Sequence, residues 1–311
     1  MAGPLIAAAQ TTRAGSIKSR AAALSIASNA VLIALKLAAG ALTGSVAIIT
    51  EAMHSSIDLV ASFVAYVSVR KADKPADAEH PYGHDKIENL AAAIEAMLIL
   101  VGSGVIVFES VRRLASGSEV HSLGIGIAVI AFSIVANVVV STVLARRARE
   151  TDSPALEGDA AHLRTDAATS AAVLVGLVLV ELTGAVWLDP VIALTVAAAI
   201  VYAGVRLLSR ASRVLVDEAL PPEELDAVRD AISDFGPRGV CGYHKLRARR
   251  AGSRRYVDLH VQFRSGTTLE DAHVTAHALQ DAIRARLRGA DVLIHLEPEG
   301  SVHPGTEIGP R

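Results

Sequence analysis

Long apolar stretches separated by short polar breaks run from about Ala21 to about Leu208, and from about Ser212 onward the pattern is that of a charged, soluble domain. Crossing a hydrocarbon core of ~30 Å takes ~20 helical residues. Six segments meet that length, at 21–42, 45–69, 87–111, 122–145, 157–183 and 186–208. Ser122 to Leu144 holds no charged residue and is the clearest of them, and Leu-Thr-Gly-Ser joins the first two in a tight uncharged turn. Six consecutive segments of this length argue against a soluble helical bundle. The pattern predicts a six-helix α-helical transmembrane domain over 17–211, a second domain over 212–297, and disordered ends at 1–16 and 298–311. The first twenty residues lack the basic-then-apolar order of a signal peptide.

The second domain reads as helix, strand, strand, helix, strand. Pro-Pro-Glu-Glu opens its first helix with proline ahead of an acidic first turn. From Tyr256 to Phe263 the chain alternates: Val257, Leu259, Val261 and Phe263 face one way, Asp258, His260 and Gln262 the other. Thr267 and Glu270 are spaced as a capping box before a helix running to about Arg288, and Asp291–Glu297 is a last short strand. This αββαβ order predicts a small α+β domain with both helices on one face of a three-stranded sheet.

Composition changes this picture little. The chain is 51% hydrophobic with a mean hydropathy of +0.41 and a net charge of −2, which gives no reason to expect a nucleic-acid partner. Cys241 is the only cysteine, so there is no intramolecular disulfide and no CxxC zinc ligation. The basic residues do fix an orientation. Arg13, Lys18, Arg20, Arg70, Lys71, Lys74, Lys86, Arg146, Arg147, Arg149, Arg206, Arg210 and Arg213 fall on one side of the six spans, and only Arg112 and Arg113 on the other. The first side is expected to be cytoplasmic, with both termini and the second domain inside a cell (inner or plasma) membrane.

Ionisable residues inside apolar spans cost ~2.5–3.5 kcal/mol each to insert and are functional candidates by default. The second span carries Glu51, His54 and Asp58; the fifth carries Asp159, His162, Arg164, Asp166 and Glu181. In each span a His precedes an Asp by four residues, which puts imidazole and carboxylate on one helix face. With a rise of ~1.5 Å per residue, His54 and Asp58 lie ~14 and ~20 Å from the outer end of their span. By the same rise, His162 and Asp166 lie ~12 and ~18 Å from the opposite face. Both pairs reach one central layer, His54 level with Asp166 and Asp58 level with His162. Two imidazoles and two carboxylates there make a four-coordinate cage suited to Zn²⁺.

The stretches TGSVAIITEAMHSSID, DAEHPYGHDKIE and HLRTD, with Asn29, Lys36 and Gly40 ahead of TGS, resemble the signature segments of the cation diffusion facilitator family over nearly the whole chain. The resemblance implies a homodimeric metal/proton antiporter with six spans and a metallochaperone-like cytoplasmic domain. It implies that His54, Asp58, His162 and Asp166 form the transport site, and that His at the first position goes with zinc over cadmium. It further implies a loop site at Asp77, His80 and His84, and a binuclear site at the dimer interface from His244, His260, His273, His295 and Glu297. Glu297 departs from the family's more usual Asp, Leu296 stands where some members have a polar residue, and His277 follows His273 by one helical turn. Lys86 and Asp217 match a family ion pair that locks the dimer.

Zn²⁺ is thus the expected cargo, H⁺ the expected counter-ion, and the lipid bilayer and a second copy of the chain the expected partners. Ligand type alone rarely fixes a metal, so export of Fe²⁺, Co²⁺, Ni²⁺ or Cd²⁺, or of a broad range, is the alternative. A membrane metal sensor would require an output module, which the short polar tail after Glu297 does not resemble. The chain has no HExxH of a metalloprotease.

Overall fold

The computed structural model describes residues 3–43, 46–116, 125–185 and 187–300, without the side chains of 3–14 and of some helix positions, Glu51, His54 and Glu181 among them. It divides into two compact units, residues 1–212 and 213–311.

The first unit is helical. Six helices follow in order: α1 (Gly3–Thr43), α2 (Val46–Ala72), α3 (Lys86–Ser116), α4 (Ile125–Thr151), α5 (Pro154–Thr183) and α6 (Leu188–Leu215). Among the described residues, five of them contain a stretch long and apolar enough to cross a membrane. Side-chain distribution agrees with a lipid surround. Alanines and serines are buried between helices, among them Ala22, Ser25, Ala61, Ser62, Ala65, Ala92, Ala96 and Ala160, while Val31, Phe63, Val101, Phe108, Phe132 and Val135 lie on the outside. Small residues let helices approach where lipid removes any hydrophobic drive between them. At Gly158 an added Cβ would stand 3.1 Å from the side chain of Glu95 and 3.2 Å from the Ala92 backbone, so α5 seats closely on α3 there.

Helix α1 starts at Gly3, where a disordered lead-in over 1–16 was expected. Pro4 falls in the first turn, where a missing N–H costs nothing, and the Leu, Ile and Ala that follow are tolerated or favoured in helices. Farther along, Lys18 is anchored in the bundle interior by Glu88. Helices α4 and α6 also run past the apolar segments, to Thr151 and Leu215. The expected disordered tail falls largely on 301–311, outside the described residues.

The second unit is the small α+β domain. Its elements are α7 (Pro222–Ser233), β1 (Val240–Ala251), β2 (Arg254–Phe263), α8 (Leu269–Arg286) and β3 (Ala290–Pro298), with a 3₁₀ turn before β1. The sheet order is β1-β2-β3, with β2 antiparallel to β1 and parallel to β3. Val257, Leu259, Val261 and Phe263 enter one core with Val228, Ile232, Leu279 and Ile283 of the helices, as alternation along β2 predicts. The cap of α8 differs from expectation: Thr268, not Thr267, accepts the Asp271 N–H at 3.1 Å, because α8 begins at Leu269 and so places Thr268 at the boundary.

Candidate metal centre

Helices α2 and α5 pack against each other inside the first unit. Asp58 projects from α2; His162 and Asp166, one turn apart, project from α5. The imidazole Nε2 of His162 lies 3.2 Å from Asp58 Oδ1 and 3.8 Å from Asp166 Oδ2. One ligand atom from each of the three falls within 4.8 Å of the others. Asp58 and His162 are buried. The backbone of His54 lies one turn from Asp58 on α2, and its side chain is outside the described set. Three of the four expected ligands are therefore brought together, an imidazole nitrogen between two carboxylates on two helices.

Polar groups surround this cluster. Asp159 is fully buried, and its Oδ1 accepts hydrogen bonds from Ser25 of α1 (3.1 Å) and Ser62 of α2 (3.0 Å). Asn29 donates to Ser62 Oγ at 2.9 Å and to the Asp58 carbonyl at 3.4 Å. Lys36 is buried and donates to Ser55 Oγ at 2.7 Å. Glu95 of α3, fully buried, faces the other ring nitrogen of His162, with Oε2 3.8 Å from Nδ1. Arg164 is exposed.

Two further groups of possible ligands lie outside the helices. In the α2–α3 loop, Asp77 Oδ1 is 3.4 Å from His80 Nδ1, and Asp77 Oδ2 is 3.4 Å from His84 Nε2. Asp77 also accepts the backbone N–H groups of His80 (2.7 Å) and Glu79 (3.1 Å), and the His80 bond is the largest influence holding its carboxyl below the usual range. In the second unit, strand register sets His244, His260 and His295 side by side across β1, β2 and β3. Glu297, two residues along β3, reaches back to His244 Nε2 at 2.7 Å and His260 Nδ1 at 2.6 Å, and His295 Nε2 is 3.8 Å away. Partial burial pushes the Glu297 carboxyl up, but the bonds from His260 and His244 outweigh it and hold it lowered to about 2.

Residues 22–216 match the family model of the cation efflux transmembrane domain, and residues 220–299 match that of the cation efflux protein cytoplasmic domain. The chain belongs to the cation diffusion facilitator family of cation-efflux transporters. The transporter sll1263 of Synechocystis sp. is 36% identical over 277 residues, covering 89% of each chain. The cation-efflux pump FieF of Citrobacter koseri is 32% identical over 290 residues, with 91% of this chain and 94% of the relative covered. FieF of Yersinia pestis is 35% identical over 281 residues, 90% and 92%. Among solved structures, CzrB in its zinc form shares 35% identity over 28% of this chain and 98% of that one, with a TM-score of 0.26. The metal-bound C-terminal domain of the CzcD transporter from Thermotoga maritima shares 28% over 27% of this chain and 100% of that one, TM-score 0.24.

In this cation-efflux transporter the remaining expected residues stand apart from the clusters. His273 lies on α8, its Nε2 3.1 Å from that of His277. Helix α8 covers the sheet face bearing Val257, Leu259 and Val261, opposite to His260, so His273 does not reach the histidine row of its own sheet. Cys241 is half-buried at β1, bonded to the Gln262 carbonyl at 3.4 Å, and burial raises its thiol pKa. Leu296 packs against the domain core. Asp217 forms an ion pair with Arg249 at 2.8 Å, and Lys86 opens α3. Sequence reading missed Glu95. Its signal was available: a lone carboxylate in the apolar run Ala91–Gly102, where any acid is costly.

Proposed function

We propose that this transporter exports a divalent transition metal, Zn²⁺ above all, from the cytoplasm in exchange for protons, at a site of His54, Asp58, His162 and Asp166. The observation that carries the reading is His162 Nε2 held between Asp58 and Asp166, at 3.2 and 3.8 Å, on two helices of a cation-efflux protein. Mixed imidazole and carboxylate donors suit Zn²⁺ at ~2.0–2.2 Å, and all-oxygen preference of the manganese kind fits them poorly. A histidine must be neutral and a carboxylate ionised to hold metal, so protons compete with the cargo for the same atoms. A site that faces the two sides in turn then lets an inward proton gradient drive metal out.

The protein on this reading is a homodimer in the cell membrane with both termini in the cytoplasm. Asp77, His80 and His84 form a loop site. His244, His260 and Glu297, with His295 at the edge, supply a two-nitrogen, one-oxygen donor set that fits a Zn²⁺ ion in the cytoplasmic domain. His273 completes such a site only from a second copy, since its own sheet is out of reach.

Metal uptake into proteoliposomes with an imposed pH gradient tests the proposal, with Zn²⁺, Cd²⁺, Fe²⁺, Co²⁺, Ni²⁺ and Mn²⁺ run in parallel. Asp58→Ala and Asp166→Ala are expected to abolish gradient-driven Zn²⁺ flux. Flux that ignores the gradient, or full activity in both variants, would overturn it.

A further inference from the structure

Resting on the transport-site reading above, we propose that Glu95 is a positioning residue for His162, keeping the ring proton on Nδ1 so that Nε2 is a free lone pair facing the cargo. Neutral imidazole carries one proton, and the nitrogen that keeps it is set by the partner of the other nitrogen. In this chain the two nitrogens face different groups. Nε2 looks at Asp58 and Asp166; Nδ1 looks at Glu95 and has no hydrogen bond among the described residues. Glu95 in turn has neither carboxylate oxygen hydrogen-bonded among the described residues, although it is fully buried.

A buried carboxylate left this way is costly unless it acquires a partner. The His162 Nδ1–H is the donor nearest to hand. Their separation of 3.8 Å must close by ~0.8 Å to reach hydrogen-bond length, which a small side-chain rotation supplies. The stem of Glu95 is already aimed, because Gly158 lets α5 seat against its Cβ and Cγ. The levels agree as well. Counting from Lys86 and Pro154, which open their helices at the same end, Glu95 and His162 lie ~14 and ~12 Å along α3 and α5 at ~1.5 Å per residue. A carboxylate behind a metal-facing histidine orients the ring and raises its basicity, and its loss typically costs ~10–100-fold in metal affinity.

The experiment is equilibrium Zn²⁺ binding to the purified full-length protein. The cytoplasmic sites are removed by His260→Ala and Glu297→Ala, the loop site by His80→Ala and His84→Ala. In that background Glu95→Gln, whose amide oxygen still accepts the Nδ1 proton, is compared with Glu95→Met, of similar size and unable to accept. Gln is expected to bind within a few-fold of the parent and Met ~10–100-fold more weakly. Met is also expected to raise the unfolding temperature, because it removes a buried carboxyl group that has no hydrogen bond among the described residues. That opposition separates positioning from packing, since a packing role predicts that affinity and stability move together. In a His162→Ala background, Glu95→Met should add no further loss of affinity. Equal binding by Gln and Met, or an undiminished effect of Glu95→Met without His162, overturns the role of Glu95. Parent-like binding by His162→Ala alone would instead overturn the transport-site reading beneath it.

Discussion

Replacing Lys18 by methionine is expected to destabilise the helical unit by about 3–5 kcal/mol, the usual cost of leaving one buried charge without its partner. Lys18 Nζ lies 2.7 Å from Glu88 Oε1, with side-chain exposures of 5% and 1%, and 3.5 Å from the more exposed Asp73. At an effective dielectric of ~20, the 2.7 Å pair has a Coulomb attraction of about 6 kcal/mol. Desolvation of both ions offsets much of this, so the net worth of the pair is small while the cost of breaking it is large. The stranded ion would be Glu88, whose other oxygen accepts the Ser153 hydroxyl at the N-cap of α5. Helices α1, α3 and α5 are thereby tied at one end of the bundle.

The assay is unfolding of the purified protein in mild detergent by added SDS, read by helical circular dichroism. Lys18→Met is compared with Lys18→Met/Glu88→Met, which leaves no lone charge at the pair. The double variant should recover to within about 1 kcal/mol of wild type or exceed it, as buried ion pairs replaced by apolar residues commonly do. A single variant as stable as wild type, or a double variant no better than the single, would refute the argument.

Gly158→Ala should destabilise by about 1–3 kcal/mol, since its Cβ meets the Ala92 backbone at 3.2 Å and the Glu95 stem at 3.1 Å, and transport should fall with it. The same SDS titration and the liposome flux read both. His260→Ala should remove Zn²⁺ binding by the cytoplasmic domain, seen as one fewer class of sites by titration calorimetry, and leave the helical site intact. The Glu297 carboxyl is lowered to about 2 in the folded protein, below its ordinary value near 4.5. Its contribution to the metal-free domain is therefore complete above about pH 4.5 and is lost as pH falls toward about 2. Wild type and Glu297→Gln should accordingly converge in unfolding temperature over that window and differ above it.

Some of this was plain in the sequence, for identifiable reasons. His54 and Asp58, and His162 and Asp166, stand at four-residue spacing in apolar spans, and a helix converts that spacing into a shared face without help from tertiary structure. Alternation along β2 likewise fixed which residues enter the domain core. What needed the fold was anything decided between elements. Glu95 has no periodic partner on α3, and its meaning comes from α5 seating beside it at Gly158. Lys18 could be assigned to a side of the membrane by counting charges, but not to a buried pair with Glu88, seventy positions away. The row of His244, His260 and His295 depends on strand register, and the separation of His273 depends on which sheet face α8 covers.

Charge balance at the helical centre bears on why export, on the proposed reading, is an exchange. Asp58, Asp159, Asp166 and Glu95 are carboxylates in the same interior, and the buried Lys36 of α1 donates to Ser55, one turn before Asp58 on α2. Holding several ionised carboxylates away from water without counter-charge costs several kcal/mol per ion. On the proposed reading, a divalent cargo would offset two of those charges on binding, which makes the loaded site compatible with the low-dielectric interior. Once that metal had left, the same carboxylates and His162 would stand exposed to that penalty, and protons are the species able to replace it at the same atoms. An empty, fully ionised site would thus be the state that the bundle resists carrying across. On the proposed reading, return of the transporter is tied to proton uptake by the cost of that state, and no separate gate is needed to enforce coupling.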